Sequence, residues 1–362
     1  MIAAVPLPRW RDLASLAGPA PDPAAVAAPW LQPGDRPLWF SRSAWALAGL
    51  ARGWAERHGR LPRLWVPGQF CNGSLDPLRR AGVAPAFYPV TADLGPDWPG
   101  CEALARVAPP DLFLLVHTFG RPADTATAQA FCRRHGALLI EDCAHVLRPE
   151  AGIGAVGDAV LWSPHKLLAV PQGGLLVLRN DCPAAPAVGA APSLRPWLAK
   201  RLVQKGVPAR LLPRPRPGEF TDDPPAASLP DTPVLAPAAL KLLAAASRRL
   251  DDVAISRRAI ACRLLAVLAE RTGWQALFDP AMITPYRLVM RCDRPEVAAA
   301  RFRQYRAAGI PVESWPDLPP EVAAEPVRQA AALELRQTLL CFPVHQGVDA
   351  KALLARCAGL TD

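Results

Sequence analysis

Several features are missing from this sequence, and each absence removes a class of protein. Its nine cysteines (71, 101, 132, 143, 182, 262, 292, 341 and 357) form no C-x-x-C pair and no zinc-finger spacing. An odd, scattered set speaks against a disulfide framework and fits reduced thiols in a cytoplasmic setting. No run of roughly 18 uncharged apolar residues occurs, and Met1 to Leu16 holds no apolar signal core, so neither a membrane span nor a secretory leader is expected. Basic residues outnumber acidic ones, with a formal net charge of +9, but they come in short pairs such as Arg79-Arg80, Arg133-Arg134, Arg248-Arg249 and Arg257-Arg258. Pairs of this kind read as solvated helix faces. An RNP-like aromatic pattern and a basic-zipper heptad are also missing, so nucleic acid is not an expected partner.

What is present is core-forming material. The 362 residues are 51% hydrophobic and 20% charged, enough for two domains and a sizeable core, which excludes overall disorder. The 43 prolines mark loops, helix starts and strand edges.

From about Pro37 to Asn180, short apolar runs alternate with helical stretches. Strands are predicted at 63–67 (RLWVP), 86–90 (AFYPV), 111–116 (DLFLLV), 137–142 (ALLIED), 159–163 and 175–179. Helices are predicted at 43–58, at 73–82 closed by Gly82, and at 123–135 closed by Gly136. Apolar strands separated by helices imply a mainly parallel sheet covered on both faces, with ligands gathered at the carboxyl ends of the strands. That places His117, Asp142 and Ser163 near one crevice. Residues 182–234 are rich in proline, hold one helix at about 194–205, and read as a long excursion. The resulting division is a large unit over 1–235 and a smaller α/β unit over 236–362. The smaller unit has long helical content at 237–272, further helices at 295–308 and 350–357, and strands at 286–292, 310–313 and 339–343.

Two short motifs carry chemistry. In Ile140-Glu141-Asp142-Cys143-Ala144-His145, an acid closes a buried strand. A carboxylate there needs a partner; the protonated nitrogen of a pyridine ring would serve, and so would the start of a following helix that Asp142 could cap. In Ser163-Pro164-His165-Lys166, followed by Pro171-Gln172-Gly173-Gly174, a lysine sits on the loop after a strand, suited to imine formation, with a glycine pair that lets the backbone pass close to a bound group. Lys166 by itself reads equally as a surface lysine. One strand-and-loop excursion separates it from Asp142, so both side chains reach the same crevice. Outside these motifs, His117 reads equally as a substrate contact or as a partner of a backbone carbonyl, and His345 reads as structural. Arg287 and Arg291 share one strand face, where they either bind a substrate carboxylate or phosphate or, as the safer reading, face solvent.

With these residues in view the sequence resembles a known family. His117-Thr-Phe-Gly-Arg-Pro-Ala-Asp124, Arg134-His-Gly136 and Ile140 to His145 look like the DegT/DnrJ/EryC1/StrS aminotransferases, the sugar-aminotransferase branch of fold type I pyridoxal-phosphate (PLP) enzymes. Val66-Pro67, Leu78 to Gly82 and Pro85 to Val90 match the same family upstream, with a looser match at Gly309-Ile-Pro311 and Leu340 to His345. The resemblance implies an α/β protein of the aspartate aminotransferase type, with a mainly parallel large domain, a smaller C-terminal α/β domain and a homodimeric assembly.

It also implies roles for particular residues. Lys166 would hold PLP as a Schiff base and carry protons, Asp142 would pair with the pyridinium, and His145 would stand near the 3-hydroxyl. Ser163 would bind the phosphate, Ser41, Arg42 and Ser43 would occupy the phosphate loop at a helix N-terminus, and Phe70 (or Cys71) would stack on the ring. The implied reaction moves an amino group from an amino acid to a keto or aldehyde carbon, with a nucleotide-linked sugar as one candidate acceptor. The chain also departs from the family. Its phosphate loop has arginine in the middle, no Asn-Tyr-Arg element follows the lysine, and Ser-x-His-Lys with Pro-x-Gly looks more like the class V branch. Those departures leave open a lyase or desulfurase, or a non-catalytic partner protein built on the same fold.

Overall fold

The computed structural model describes residues 2–207, 220, 229–315 and 317–360. The predicted excursion at 182–234 therefore lies partly outside the described residues; its helix is present at Arg195–Gly206.

Seven strands make the large sheet: β1 (Arg36–Phe40), β2 (Leu64–Pro67), β3 (Ala86–Tyr88), β4 (Leu112–Val116), β5 (Leu138–Cys143), β6 (Ala159–Trp162) and β7 (Gly174–Leu178). Their order is β1-β7-β6-β5-β4-β2-β3. From β6 through β3 every pairing is parallel, while β7 runs antiparallel to both β6 and β1. The cause is chain length. A parallel return needs a crossover of a dozen or more residues, and the connection from Trp162 to Gly174 has room for only the short helix Pro164–Leu167. That connection turns back over the carboxyl end of β6 and carries Lys166 with it.

Every strand predicted in this region is present to within two residues. β1 was not predicted, because Arg36-Pro37-Leu-Trp-Phe40 carries a proline, which a sheet tolerates only at its edge. Edge is where β1 lies. The predicted 73–82 helix begins instead as a 3₁₀ turn (Asn72–Leu75) and becomes α-helical over Asp76–Arg80, with Pro77 in its first turn.

The sheet is covered on both sides, as strands buried at every position require. One face packs Leu47 and Leu50 of the Ser43–His58 helix with Leu114, Leu161 and Leu176. The other packs Trp162, Leu167 and Leu175 with Trp30 and with Leu242 and Leu243 of the Pro237–Ser247 helix. Each such fully buried leucine contributes about 1.5–3 kcal/mol. Leu167 stands next to Lys166, so its burial anchors the lysine helix.

A second sheet has the order β10-β11-β9-β8, built from β8 (Trp274–Ala276), β9 (Leu288–Cys292), β10 (Glu313–Ser314) and β11 (Leu339–Phe342), antiparallel throughout. Its core includes Leu264, Met290, Tyr305 and Phe342. The strand predicted at 310–313 shrinks to Glu313–Ser314, since Pro311 has no N–H to donate and Val312 bonds back to Ile310. Among the described residues no helix is long and apolar enough to cross a membrane.

Candidate active site

The carboxyl ends of β4, β5 and β6 and the start of β9 open onto one cavity of about 580 Å³. Parallel α/β sheets place their ligand sites there. Asp142, Lys166, His145, Ser43, Phe70 and Cys71 line it, together with Phe119, Tyr286, Arg287, Glu313 and Trp315.

Asp142 is the penultimate residue of the central strand β5 and is buried. Its Oδ1 accepts the Ala144 N–H at 2.8 Å, and among the described residues Oδ2 meets no donor. Burial raises its pKa, and the nearby Lys166 charge opposes the rise without cancelling it. The bond to Ala144 caps the turn after β5, so part of the capping reading holds, but the free oxygen faces the cavity.

Lys166 rides on the Pro164–Leu167 helix, and its Nζ lies 3.4 Å from His145 Nε2. His145 is fixed from two sides. Its Nδ1 accepts the backbone N–H of Phe119 at 3.2 Å, and its ring stacks on Tyr286 with centroids 4.4 Å apart and planes 4° from parallel. Phe119 adopts a left-handed backbone (φ 61°) that few non-glycine residues take, within the tight turn that closes β4.

The remaining expected residues split. Ser43 begins the Ser43–His58 helix and lines the cavity, while Ser163 lies fully buried behind it, its Oγ donating to Ser43 Oγ at 2.6 Å. Ser41 is buried away from the cavity; its Oγ donates to Thr232 O at 2.5 Å and its carbonyl accepts from Gly173 N. The largely buried Arg42 side chain does not line the cavity and forms no hydrogen bond among the described residues. The glycine pair has a clear reason. Gly173 has φ 148°, and a Cβ on Gly174 would come within 2.2 Å of the Arg42 carbonyl carbon, so only glycine lets β7 pass under this loop.

Other expectations need correction. His117 is not in the crevice. It is buried behind β5, where Nε2 pairs with Glu141 Oε2 at 2.9 Å and Nδ1 accepts the Ala123 N–H. Glu141 also accepts the N–H groups of Gly154, Val156 and Gly157, so although Cys143 lies close by, the His117 and Glu141 atoms that could hold a metal are engaged. Arg287 is not a solvated-face arginine: it is 4% exposed, bonded to Glu313 and laid over the Tyr286 ring. His345 is structural as expected, donating from Nε2 to Ala3 O and accepting Gly347 N–H at Nδ1.

Sequence reasoning missed Tyr286 and Phe119, and its reading of the Arg257-Arg258 pair as a solvated helix face is overturned for Arg257. Arg257 is fully buried and donates to Leu167 O, Tyr286 O and Pro285 O, tying the lysine helix to the segment that stacks on His145. No local signal marks them, because their partners are far away in the chain.

Residues 110–188 match the DegT/DnrJ/EryC1/StrS aminotransferase family. The family match spans β4 through β7 and so includes both Asp142 and Lys166, and the resemblance read from the sequence stands. A stretch of 73 residues is 37% identical to a protein of Micromonospora echinospora provisionally named L-glutamine:3-amino-2,3-dideoxy-scyllo-inosose aminotransferase; it covers 19% of this chain and 18% of that relative. In fold the likeness runs the whole length. The aminotransferase TlmJ from Streptoalloteichus hindustanus superposes with a TM-score of 0.71 at 20% identity, over 98% of this chain and 97% of that one. The sugar aminotransferase CalS13 from Micromonospora echinospora gives 0.67 at 19% identity, over 99% and 100%. The fold is therefore fold type I, as expected.

Proposed function

We propose that this chain is a PLP-dependent aminotransferase that moves an amino group from an amino acid to a keto or aldehyde carbon of a sugar. The observation that carries this reading is the convergence of Lys166, Asp142 and His145 on a single cavity. The names of the relatives support it.

The residues fit the cofactor. Asp142 presents a buried carboxylate oxygen without a donor, which a protonated ring nitrogen would satisfy. The first-turn N–H groups of Ser43 and Ala44 border the cavity and meet no acceptor among the described residues, which suits a phosphate. Ser163 orients the Ser43 hydroxyl from behind. Lys166 would hold the group through Nζ, Asp142 would keep its ring nitrogen protonated, and Phe70 would cover a ring face. When bound, PLP supplies an electron sink for the bonds at the substrate carbon.

The chain's own work is to position groups and move protons. Lys166 Nζ takes and returns the proton at the substrate carbon, as a general acid and base. His145, in the tautomer set by Phe119, directs N–H toward that site. The apolar walls, Leu47, Phe119, Leu161 and Trp315, exclude water.

The test is a visible spectrum of the purified protein with added PLP. A band in the imine region that is lost in Lys166→Ala supports the reading. A protein that stays colourless overturns it.

A further inference from the structure

Two buried oxygens beside the cavity have no partner and no part in that chemistry. Gln69 is 2% exposed and Thr118 4%, and both residues line the space that Lys166 also lines. Among the described residues neither Gln69 Oε1 nor Thr118 Oγ1 forms a hydrogen bond. Gln69 follows β2 and Thr118 follows β4, and these strands are neighbours. Trp315 joins the two. Its Nε1 donates to Gln69 O at 2.9 Å, and its ring meets the Phe119 ring edge-on with centroids 5.0 Å apart.

The Gln69 amide cannot turn to satisfy itself. Its Nε2 donates to Leu94 O at 3.4 Å, a carbonyl that only accepts, so Oε1 needs a donor from elsewhere. Leu94 holds that carbonyl with φ 70°, and Thr118 is followed by Phe119 at φ 61°. Leucine and phenylalanine rarely adopt a left-handed backbone, and such strain gathers at binding sites. An unpaired buried oxygen costs stability that an apolar side chain of the same shape does not. Neither oxygen therefore serves the fold.

The group that fits must donate to Oε1 and be able to accept from the threonine hydroxyl, and a hydroxyl does both. A carboxylate only accepts and would oppose Oε1. An ammonium only donates and would share the cavity with Arg287 and Arg306. The corner also lies beyond the groups that fit the cofactor. Those stand at β6 and β5: Ser43, held by Ser163 after β6, with Lys166 and Asp142. β4 comes next and β2 after it, so β4 stands two strand spacings, about 10 Å, from β6.

We propose that Gln69 and Thr118 select the amino acceptor by binding a neutral hydroxyl on the side of its ring away from the carbon that reacts at Lys166. This deepens the aminotransferase reading and rests on it for the reacting carbon. The hydroxyl belongs to a sugar or to a cyclitol, and its chemistry at the corner is the same for both.

Saturation-transfer NMR on the cofactor-loaded protein tests this. D-glucose and D-galactose form the sugar arm, myo- and scyllo-inositol the cyclitol arm, and tetrahydropyran is the ring without a hydroxyl. At least one polyol is expected to bind, and its arm assigns the class of ring. Thr118→Val keeps the shape without the oxygen and should weaken that polyol at least about tenfold while leaving tetrahydropyran unchanged. Thr118→Ser should lose less than about threefold, and Gln69→Leu should lose as much as Thr118→Val. In the ligand-free protein Thr118→Val should leave the thermal midpoint unchanged or raise it, so this variant decides the matter even if Gln69→Leu folds poorly. PLP affinity should stay that of the parent.

The proposal is overturned if none of the polyols binds at millimolar concentration, or if Thr118→Val binds them as the parent does. A lowered midpoint with unchanged polyol affinity overturns it by making the hydroxyl structural. A loss of PLP affinity equal to the loss of polyol affinity overturns it by giving the corner to the cofactor. Failure of the aminotransferase reading would show separately, as a protein without the Lys166-dependent visible band. In that case the same titrations of the cofactor-free chain still decide the role of the corner.

Discussion

His145 bridges the Phe119 backbone and Lys166: its Nδ1 accepts the Phe119 N–H at 3.2 Å, and its Nε2 lies 3.4 Å from Lys166 Nζ. Burial, reinforced by the charges of Lys166 and Arg287, holds its pKa well below the ordinary histidine value, so the ring is neutral at pH 7. A neutral imidazole that accepts at Nδ1 carries its proton on Nε2. His145 therefore offers an N–H donor beside the reactive amine. His145→Leu should slow turnover with L-glutamate by about 10- to 100-fold, the equivalent of one charge-assisted hydrogen bond of about 1.5–3 kcal/mol. His145→Gln keeps a donor and should lose less than about tenfold. Stopped-flow rates on the cofactor-loaded variants check this; equal losses in both would assign the role to the ring stack on Tyr286 and not to the N–H.

Arg257 should matter to the site without touching it. It is fully buried and donates to Leu167 O at 3.0 Å, Tyr286 O at 3.2 Å and Pro285 O at 3.3 Å, and burial brings its guanidinium down to about 9. Leu167 O and Tyr286 O each keep a second donor, Gln346 and Arg287. Arg257→Met therefore leaves chiefly the Pro285 carbonyl unpaired and loosens the tie between lysine helix and Tyr286. A loss of about 2–4 kcal/mol in urea denaturation is expected. Arg257→Lys should lose less. A Met variant as stable as the parent would show that packing, not the guanidinium, joins these segments.

Asp142 and Lys166 were legible in the sequence because each lies in a short contiguous motif at a strand end, where position follows from local pattern. The strands were legible for the same reason: apolar runs of that length bounded by turn residues have few other readings. Tyr286 and Arg257 were not, since their contacts depend on a distant segment folding back over the large sheet. Arg287 was read as solvated because arginine usually is, and only the neighbouring Glu313 and Tyr286 explain its burial. Glu141 was hidden by its neighbour Asp142. Adjacent strand residues face opposite ways, so only the motif's second acid could belong to the cavity, and the first had to find partners behind it.

Acid should weaken the fold before it reaches carboxylate pKa values. Burial lowers His345 to about 4 and holds His145 and His165 well below the ordinary value. These rings stay neutral when folded, while the unfolded chain takes up protons from about pH 6.5 downward. Stability is therefore full above that pH and falls as pH drops through it, by about 3 kcal/mol for His345 alone once pH 4 is reached. Asp142, raised by burial, acts in the opposite sense at lower pH. Urea midpoints at pH 7.5 and 5.0 should fall in the parent. His345→Gln should start lower and show a flatter change; an unchanged slope would clear His345 of the effect.

Glu141 and Asp142 offer a contrast that separates structure from chemistry within one dipeptide. Glu141 Oε1 accepts Val156 N at 2.8 Å and Gly157 N at 2.6 Å, while Oε2 accepts Gly154 N at 2.7 Å and His117 Nε2 at 2.9 Å. Burial alone would raise its pKa, but these bonds outweigh burial and hold it below the usual glutamate range. An amide in its place must aim N–H at two of those donors, and a buried clash of that kind costs about 2–4 kcal/mol. Glu141→Gln should thus lose stability while retaining PLP once folded. Asp142→Asn keeps an acceptor for Ala144 N and replaces only an oxygen without a partner, so it should cost less than about 1 kcal/mol. Its ring nitrogen partner would then lose the charge that keeps it protonated, and turnover should drop by at least about 100-fold. Denaturation and activity assays on the two variants check both halves, and a stable Glu141→Gln beside an unfolded Asp142→Asn would reverse the assignment.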